Sequence, residues 1–232
     1  MVQQIYTEGK YLEENPAWHI EDSPWKAEHI RRIITQNMLE PKTICEVGCG
    51  AGGILEQLQA KMNPSCLFWG YEISPQAFEL CQSRSNQRLN FELGDLQNKQ
   101  NIFFDLMLVI DLIEHLEDYF GFLKNLKPKS EYKIFHIPLD ISVQSVLRLT
   151  PILNLRESVG HIHYFTKEIA LEALKDSGYE IVDYFYTAGY VELPAKSMRN
   201  HLARIPRQLL YSIHQDLAVR VMGGYSLMIL AK

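Results

Sequence analysis

Residues 44–53 read Ile44-Cys45-Glu46-Val47-Gly48-Cys49-Gly50-Ala51-Gly52-Gly53. An apolar run suited to a buried strand ends in an acid and a glycine-rich turn, and helix-like sequence follows from Ile54 to Lys61. Glycine lets a backbone turn sharply and approach a ligand closely, because no Cβ intervenes. The helix N-terminus behind the turn offers free N–H groups and partial positive charge. A strand, a glycine turn and a helix in this order predict the first unit of a parallel α/β sheet, with a nucleotide or nucleoside at the turn.

Gly48, Gly50 and Gly53 satisfy G-x-G-x-x-G, a dinucleotide fingerprint that is weak by itself. The same segment reads E-x-G-x-G-x-G through Glu46, Gly48, Gly50 and Gly52. That second reading resembles the first motif of the class I S-adenosylmethionine (SAM)-dependent methyltransferases. Electrostatics separates the two. A pyrophosphate is opposed by a carboxylate at the strand end, whereas the sulfonium and ammonium of SAM are not. Glu46 therefore tilts the reading toward SAM.

The segments that follow fall in order. Cys66 to Glu72 is a second apolar strand ending in an acid, placed where a carboxylate can accept both ribose hydroxyls of either cofactor. Leu89 to Leu96 is a third strand closed by Gly94-Asp95. Phe103 to Asp111 is a fourth, apolar enough to be buried on both faces. It runs into Leu112-Ile113-Glu114-His115-Leu116, and "VIDLIEHLED" resembles the "-EHL-" segment of small-molecule methyltransferases, among them the ubiquinone-biosynthesis O-methyltransferases. The resemblance covers roughly residues 40 to 190 and the last ten. It implies cofactor contacts from Glu46, Gly48, Cys49, Gly50 and Gly52 of the turn, and from Glu72 and Ile73. It further implies Asp95 at the adenine amine, Leu96 against the ring, and Ile110 and Asp111 at the end of the fourth strand.

Alternating strand and helix patterns from Thr43 to Pro138 predict a doubly wound, Rossmann-like sheet. Helices are expected near 53–62, 75–86, 116–127, 141–149 and 167–177. Tyr132 to Ile137 is a fifth strand stopped by Pro138, Tyr179 to Thr187 a sixth and Tyr225 to Leu230 a seventh. A dinucleotide fold does not need the seventh; the methyltransferase fold inserts it antiparallel beside the sixth. The whole is an α/β chain: a leading cap or lid over residues 1–40, and a SAM-binding domain over 41–232 with a helical insertion at about 194–223. Tyr6, Tyr11, Trp18, His19 and Trp25 make the leading segment aromatic, and Pro24 suits the start of a helix from about Trp25 to Met38. Such a segment either shapes an acceptor pocket or simply packs on the core. In the insertion, Lys196, Arg199, Arg204, Arg207 and Arg220 alternate with apolar residues at helical spacing. A basic amphipathic helix can meet a membrane surface, an anionic substrate, a second copy, or only its own core.

The chain has 232 residues, 47% of them hydrophobic, which is enough for one sizeable core. Its net charge of −5 disfavours nucleic acid as a partner. Cys45, Cys49, Cys66 and Cys81 lack zinc-ligand spacing and read as free thiols of a reducing, cytoplasmic setting. No signal core or membrane span is expected.

Methyl transfer to a hydroxyl needs an in-line acceptor and a base. His115, just after the fourth strand, is the first candidate, with Asp111 beside it. In Gly160-His161-Ile162-His163-Tyr164-Phe165-Thr166, which resembles the run before the last helix in these enzymes, His161 is the alternative base or acceptor contact. By the resemblance Asp111, Glu114 and His115 could also form a partial divalent-metal shell, but a metal-free site is the expectation. Lys127-Pro128-Lys129-Ser130 departs from the family pattern, where a glycine is common, at a distant loop. The Asn/Asp-Pro-Pro-Tyr signature of many N-methyltransferases is absent after the fourth strand. The sequence thus predicts SAM-dependent O-methylation of a small molecule or glycan unit by a monomer or homodimer. An NAD-binding oxidoreductase and a non-catalytic SAM-binding protein are the rivals.

Overall fold

The computed structural model describes residue 18 and residues 20–194 and 198–232, without the side chains of 198–203. Tyr6, Tyr11, His19, Lys196 and the Arg199 side chain lie outside the described residues. Seven strands form one sheet: β1 (Thr43–Val47), β2 (Leu67–Glu72), β3 (Leu89–Leu93), β4 (Phe104–Ile110), β5 (Ser130–Pro138), β6 (Ile181–Thr187) and β7 (Ser226–Ala231). Their order is β3-β2-β1-β4-β5-β7-β6. The first five pair in parallel, and β7 enters antiparallel between β5 and β6. This is the doubly wound architecture expected from the sequence, with the reversed last strand.

The helices are α1 (Ser23–Gln36), α2 (Gly53–Lys61), α3 (Pro75–Gln82), α4 (Tyr119–Leu126), α5 (Val143–Arg148), α6 (Thr150–Ser158), α7 (Lys167–Asp176), α8 (Gly189–Glu192), α9 (Met198–Ile213) and α10 (Gln215–Met222). Strand residues alternate between two cores. In β4, Met107 and Val109 join Phe122, Leu123 and Leu126 of α4 on one face, while Leu106, Leu108 and Ile110 join α1 and α2 on the other. That two-sided burial is why the β4 sequence is almost continuously apolar. α1 buries Ala27, Ile30, Ile33 and Ile34 at helical spacing, so the leading segment from Ser23 onward is also core.

Several boundaries differ from expectation, such as the helix foreseen near 75–86 that ends at Gln82, and three of them have plain local reasons. Pro138 continues β5, because at that position only β7 flanks the strand and pairs it with Ser226. The helix foreseen near 141–149 is two: Leu149 adopts φ 56°, breaking α5 from α6, and Pro151 starts the second. The helix foreseen from 116 begins at Tyr119, where the Asp118 carboxylate accepts from the Gly121 N–H at 2.8 Å. Among the described residues no helix is long and apolar enough to cross a membrane.

Candidate active site

A cavity of about 390 Å³ opens where β1 and β4 diverge to opposite neighbours, the place at which open α/β sheets take ligands. One wall is the glycine-rich turn. The N–H groups of Gly48 and Cys49 donate to the Tyr71 carbonyl at 2.8 and 3.1 Å, fastening the turn to β2. Gly50, at φ 53°, donates its N–H to Glu72 Oε2 at 2.8 Å, and Ser74 donates to Oε1 at the same distance. Gly52 caps α2 at φ 77°, and a Cβ there would meet the Phe91 ring at 2.5 Å. The glycine at this position is therefore required by both conformation and packing.

Glu46 and Glu72 are both buried, and burial pushes both carboxyls up. Backbone N–H bonds oppose that for Glu72, and the Lys26 charge opposes it for Glu46. Glu46 lines the cavity, yet its Oε2 has no hydrogen-bond partner. An orphan carboxylate oxygen in a cavity fits a cationic group and opposes an anionic one. This fits the ammonium and sulfonium of SAM better than a pyrophosphate.

The opposite wall comes from more distant segments. Asp111 follows β4 with φ 48°, a left-handed conformation that Asp tolerates better than most residues. Lys26 of α1 bridges to its Oδ2 at 2.8 Å, and His136 of β5 donates from Nδ1 to its Oδ1 at 2.6 Å. Burial alone would raise the Asp111 carboxyl, but the His136 and Lys26 charges hold it well below the usual carboxylate range. Burial likewise opposes the Lys26 charge, and Asp111 outweighs it, so Lys26 is a cation. His136 Nε2 lies 2.8 Å from Thr187 Oγ1, so both ring nitrogens are engaged. Asp111 is thus a strut tying α1 to β5 and accepts no proton at neutral pH.

Glu114 carries the assembly onward. Its carbonyl accepts from the Ile162 and His163 N–H groups at 2.9 and 3.1 Å, drawing the 160–166 loop against the turn after β4. That brings His115 and His161 ring to ring at 4.8 Å. His115 Nδ1 donates to the Gly160 carbonyl at 3.2 Å, leaving the lone pair on Nε2. Burial, reinforced by the nearby His161, lowers His115 to about 4. It is neutral at pH 7 and a weak base. His161 donates from Nδ1 to Asp140 Oδ2 at 2.8 Å, which fixes its tautomer and turns Nε2 into the proton acceptor. The Glu114 carboxyl is fully buried, both its oxygens lack hydrogen-bond partners, with Oε1 at 3.9 Å from His115 Nε2, and burial, with Asp111 adding to it, pushes it far up.

Of the expected site residues, Glu46, Gly48, Cys49, Gly50, Glu72, Ile73, Ile110, Asp111, His115 and His161 all line the cavity. Gly52, Asp95 and Leu96 do not. Gly52 faces Phe91 and Cys81. Asp95 accepts from the Gln97 N–H and caps a short turn. Leu96 is fully buried in the core. The possible metal shell also differs in membership: Glu114, His115 and His161 place ligand atoms within 4.8 Å of one another, with Asp111 replaced by His161. Sequence reasoning missed Lys26, Asp140 and the Thr187 end of the His136 chain. For Lys26 a signal existed, since Asp22, Ser23 and Lys26 share one flank of a helix start and all three line the cavity.

Residues 45–129 match the family model of a methyltransferase domain. The chain is 28% identical over 94 residues to norajmaline N-methyltransferase of Rauvolfia serpentina, covering 38% of this chain and 32% of that protein. It is 35% identical over 96 residues to phthiotriol/phenolphthiotriol dimycocerosates methyltransferase of Mycobacterium leprae (strain TN), covering 39% and 35%. The chain thus spans about a third of the length of the curated relatives it matches. Its fold is shared with the plantazolicin methyltransferase BpumL, solved in complex with S-adenosylhomocysteine (SAH), at a TM-score of 0.64 and 16% identity over 100% of this chain and 93% of that one. Residues 45–129 thus match a methyltransferase domain, and the chain as a whole shares the fold of a solved SAM-dependent methyltransferase.

Proposed function

We propose that the protein transfers a methyl group from SAM to a hydroxyl of a small molecule or a glycan unit. The observation that carries this reading is that His161, held by Asp140, lines the same cavity as the glycine turn. SAM supplies an electrophilic methyl group on a sulfonium. The protein's own part is to hold, orient and deprotonate. The orphan oxygen of Glu46 offers a hydrogen-bond acceptor, and the Asp111 carboxylate its charge, to a cationic group at the turn. The Glu72 carboxylate, locked by the Gly50 and Ser74 N–H groups, keeps remaining lone pairs for ribose hydroxyls. Ile110, Leu112, Leu155 and Val159 line the cavity with apolar surface that excludes water from the acceptor.

His161, rather than His115, takes the acceptor proton at Nε2, because Asp140 orients it as a general base is oriented. His115 packs edge-on against it and sets its ring plane. The Glu114 carboxyl, whose charged form burial disfavours, does not ligate a metal in this reading, and chelators leave turnover unchanged. Four free, buried cysteines support a reducing, cytoplasmic setting.

Calorimetric titration with SAH and, separately, with NAD tests the cofactor. SAH binding and no NAD binding are expected; the reverse sinks the reading. Acceptor screening with methyl-labelled SAM then separates O- from N-methylation, because one matched relative is named an N-methyltransferase.

A further inference from the structure

The helices α6, α5, α10 and α9 pack in series, each on the next. Among the described residues, nine of the nineteen exposed large apolar side chains fall in two short stretches of these helices, 143–153 and 205–217. Helices that only cover a core turn such residues inward. Here Leu147 and Ile213 are each 80% exposed, Leu209 60%, Leu149 59% and Leu153 56%. Ile205, Leu209 and Ile213 stand at i, i+4 and i+8, on one face of α9. Between α5 and α10 an apolar groove of about 460 Å³ is lined by Val143, Val146 and Val219, with Lys167 and Arg220 beside them.

The charge of this region runs against that of the protein. Residues 141–168 and 198–222 hold seven Lys or Arg against three Asp or Glu, in a chain of net charge −5. Arg148 and Arg156 are exposed among the leucines of α5 and α6. Two copies of the chain would bring like-charged faces together. An anionic bilayer offers the opposite charge and accommodates the apolar side chains. We propose that α5, α6, α9 and α10 form a docking surface for an anionic phospholipid membrane, with the exposed leucines among the acyl chains and Arg148 and Arg156 at the headgroup phosphates. α6 also lends Leu155, and the residue that ends it, Val159, to the cavity, so the docked face adjoins the acceptor side of the site.

Co-sedimentation of the full chain with vesicles tests this independently of any methyl transfer. Binding is expected to phosphatidylcholine–phosphatidylglycerol vesicles and not to phosphatidylcholine alone. It weakens in high salt, where the screening length contracts from about 10 Å at 0.1 M to about 3 Å at 1 M. Arg148→Glu with Arg156→Glu lowers the partition by more than about tenfold, given roughly fivefold for each cation lost. Leu147→Gln with Leu153→Gln abolishes it. Both double variants keep wild-type melting and SAH affinity. Equal binding to both vesicles, binding to neither, or indifference to the arginine pair overturns the proposal. So does light scattering that finds the apolar face consumed in a dimer insensitive to salt.

Discussion

On the glycine-turn wall of the cavity, polar contacts join neighbouring parts of one βαβ unit: Gly48 and Cys49 to Tyr71, Gly50 to Glu72, Glu72 to Ser74. On the histidine wall they join segments that only the finished sheet brings together. His161 is held by Asp140, His115 by Gly160, His136 by Thr187 and Asp111 by Lys26. The first wall is mostly backbone, shaped by glycines, and suits a ligand common to a whole family. The second is mostly titratable side chains, each oriented by another, and suits the step that differs between acceptors. Binding and turnover should therefore be separable by mutation.

The sharpest way to break that comparison is His161→Ala. Loss of a positioned general base lowers kcat by roughly 10²- to 10⁴-fold, while SAH affinity by calorimetry stays unchanged. Asp140→Asn lowers kcat less, and a pH–rate profile shifted relative to wild type marks it as a positioning residue. If SAH affinity falls together with kcat, the two walls are not independent.

Asp111→Asn tests whether the strut is structural. Removing one partner of a partly buried ion pair leaves the Lys26 charge uncompensated and costs up to about 3 kcal/mol of stability. Denaturant unfolding should show that loss, and an unchanged midpoint would dissolve the Lys26–Asp111–His136 chain as a determinant of the fold.

The next effect is a pH dependence carried by His115. Its pKa in the fold is about 4, below the ordinary 6.5 of the unfolded chain. The unfolded state therefore binds the proton first. Stability present above pH 6.5 is lost as the pH falls toward 4, by up to about 3 kcal/mol. His115→Gln should flatten that part of the stability–pH curve; a curve of the same shape in the variant would show that the acid loss comes from other groups.

The smallest effect sharpens the first wall. Glu72→Gln replaces one acceptor oxygen facing the Gly50 or Ser74 N–H by an amide donor, and weakens SAH binding by about 1.5–3 kcal/mol. At saturating SAM its kcat should remain close to wild type.

The fold was legible because each of its signals is local. Glycines mark the turn, apolar runs mark strands buried on both faces, and Thr166 and Gly178 bracket α7 as a cap and a stop. Leu149 shows the limit: nothing in its neighbours forecasts a left-handed leucine, and the single helix expected there is two. At the site, the glycines and Glu72 of the first wall could be read from their spacing after β1 and β2, and the resemblance added Cys49 and Ile73. Asp95 and Leu96, expected from the resemblance, take up capping and core packing instead of lining the cavity.

The reversed last strand came from the family resemblance. By itself, then, the amino-acid order determined the run of strands and helices along the chain and a glycine turn that follows a buried acid. These depend on backbone conformation and burial within a few tens of residues. The tertiary structure decided which histidine has an orienting carboxylate, that Asp111 is a strut and that Lys26 reaches the cavity at all. Those pairings depend on the crossover that sets β4 beside β1 and β5, and on the loop that the Glu114 carbonyl draws against it. Side chains from distant segments meet there at hydrogen-bond distance, which spacing along the chain does not encode.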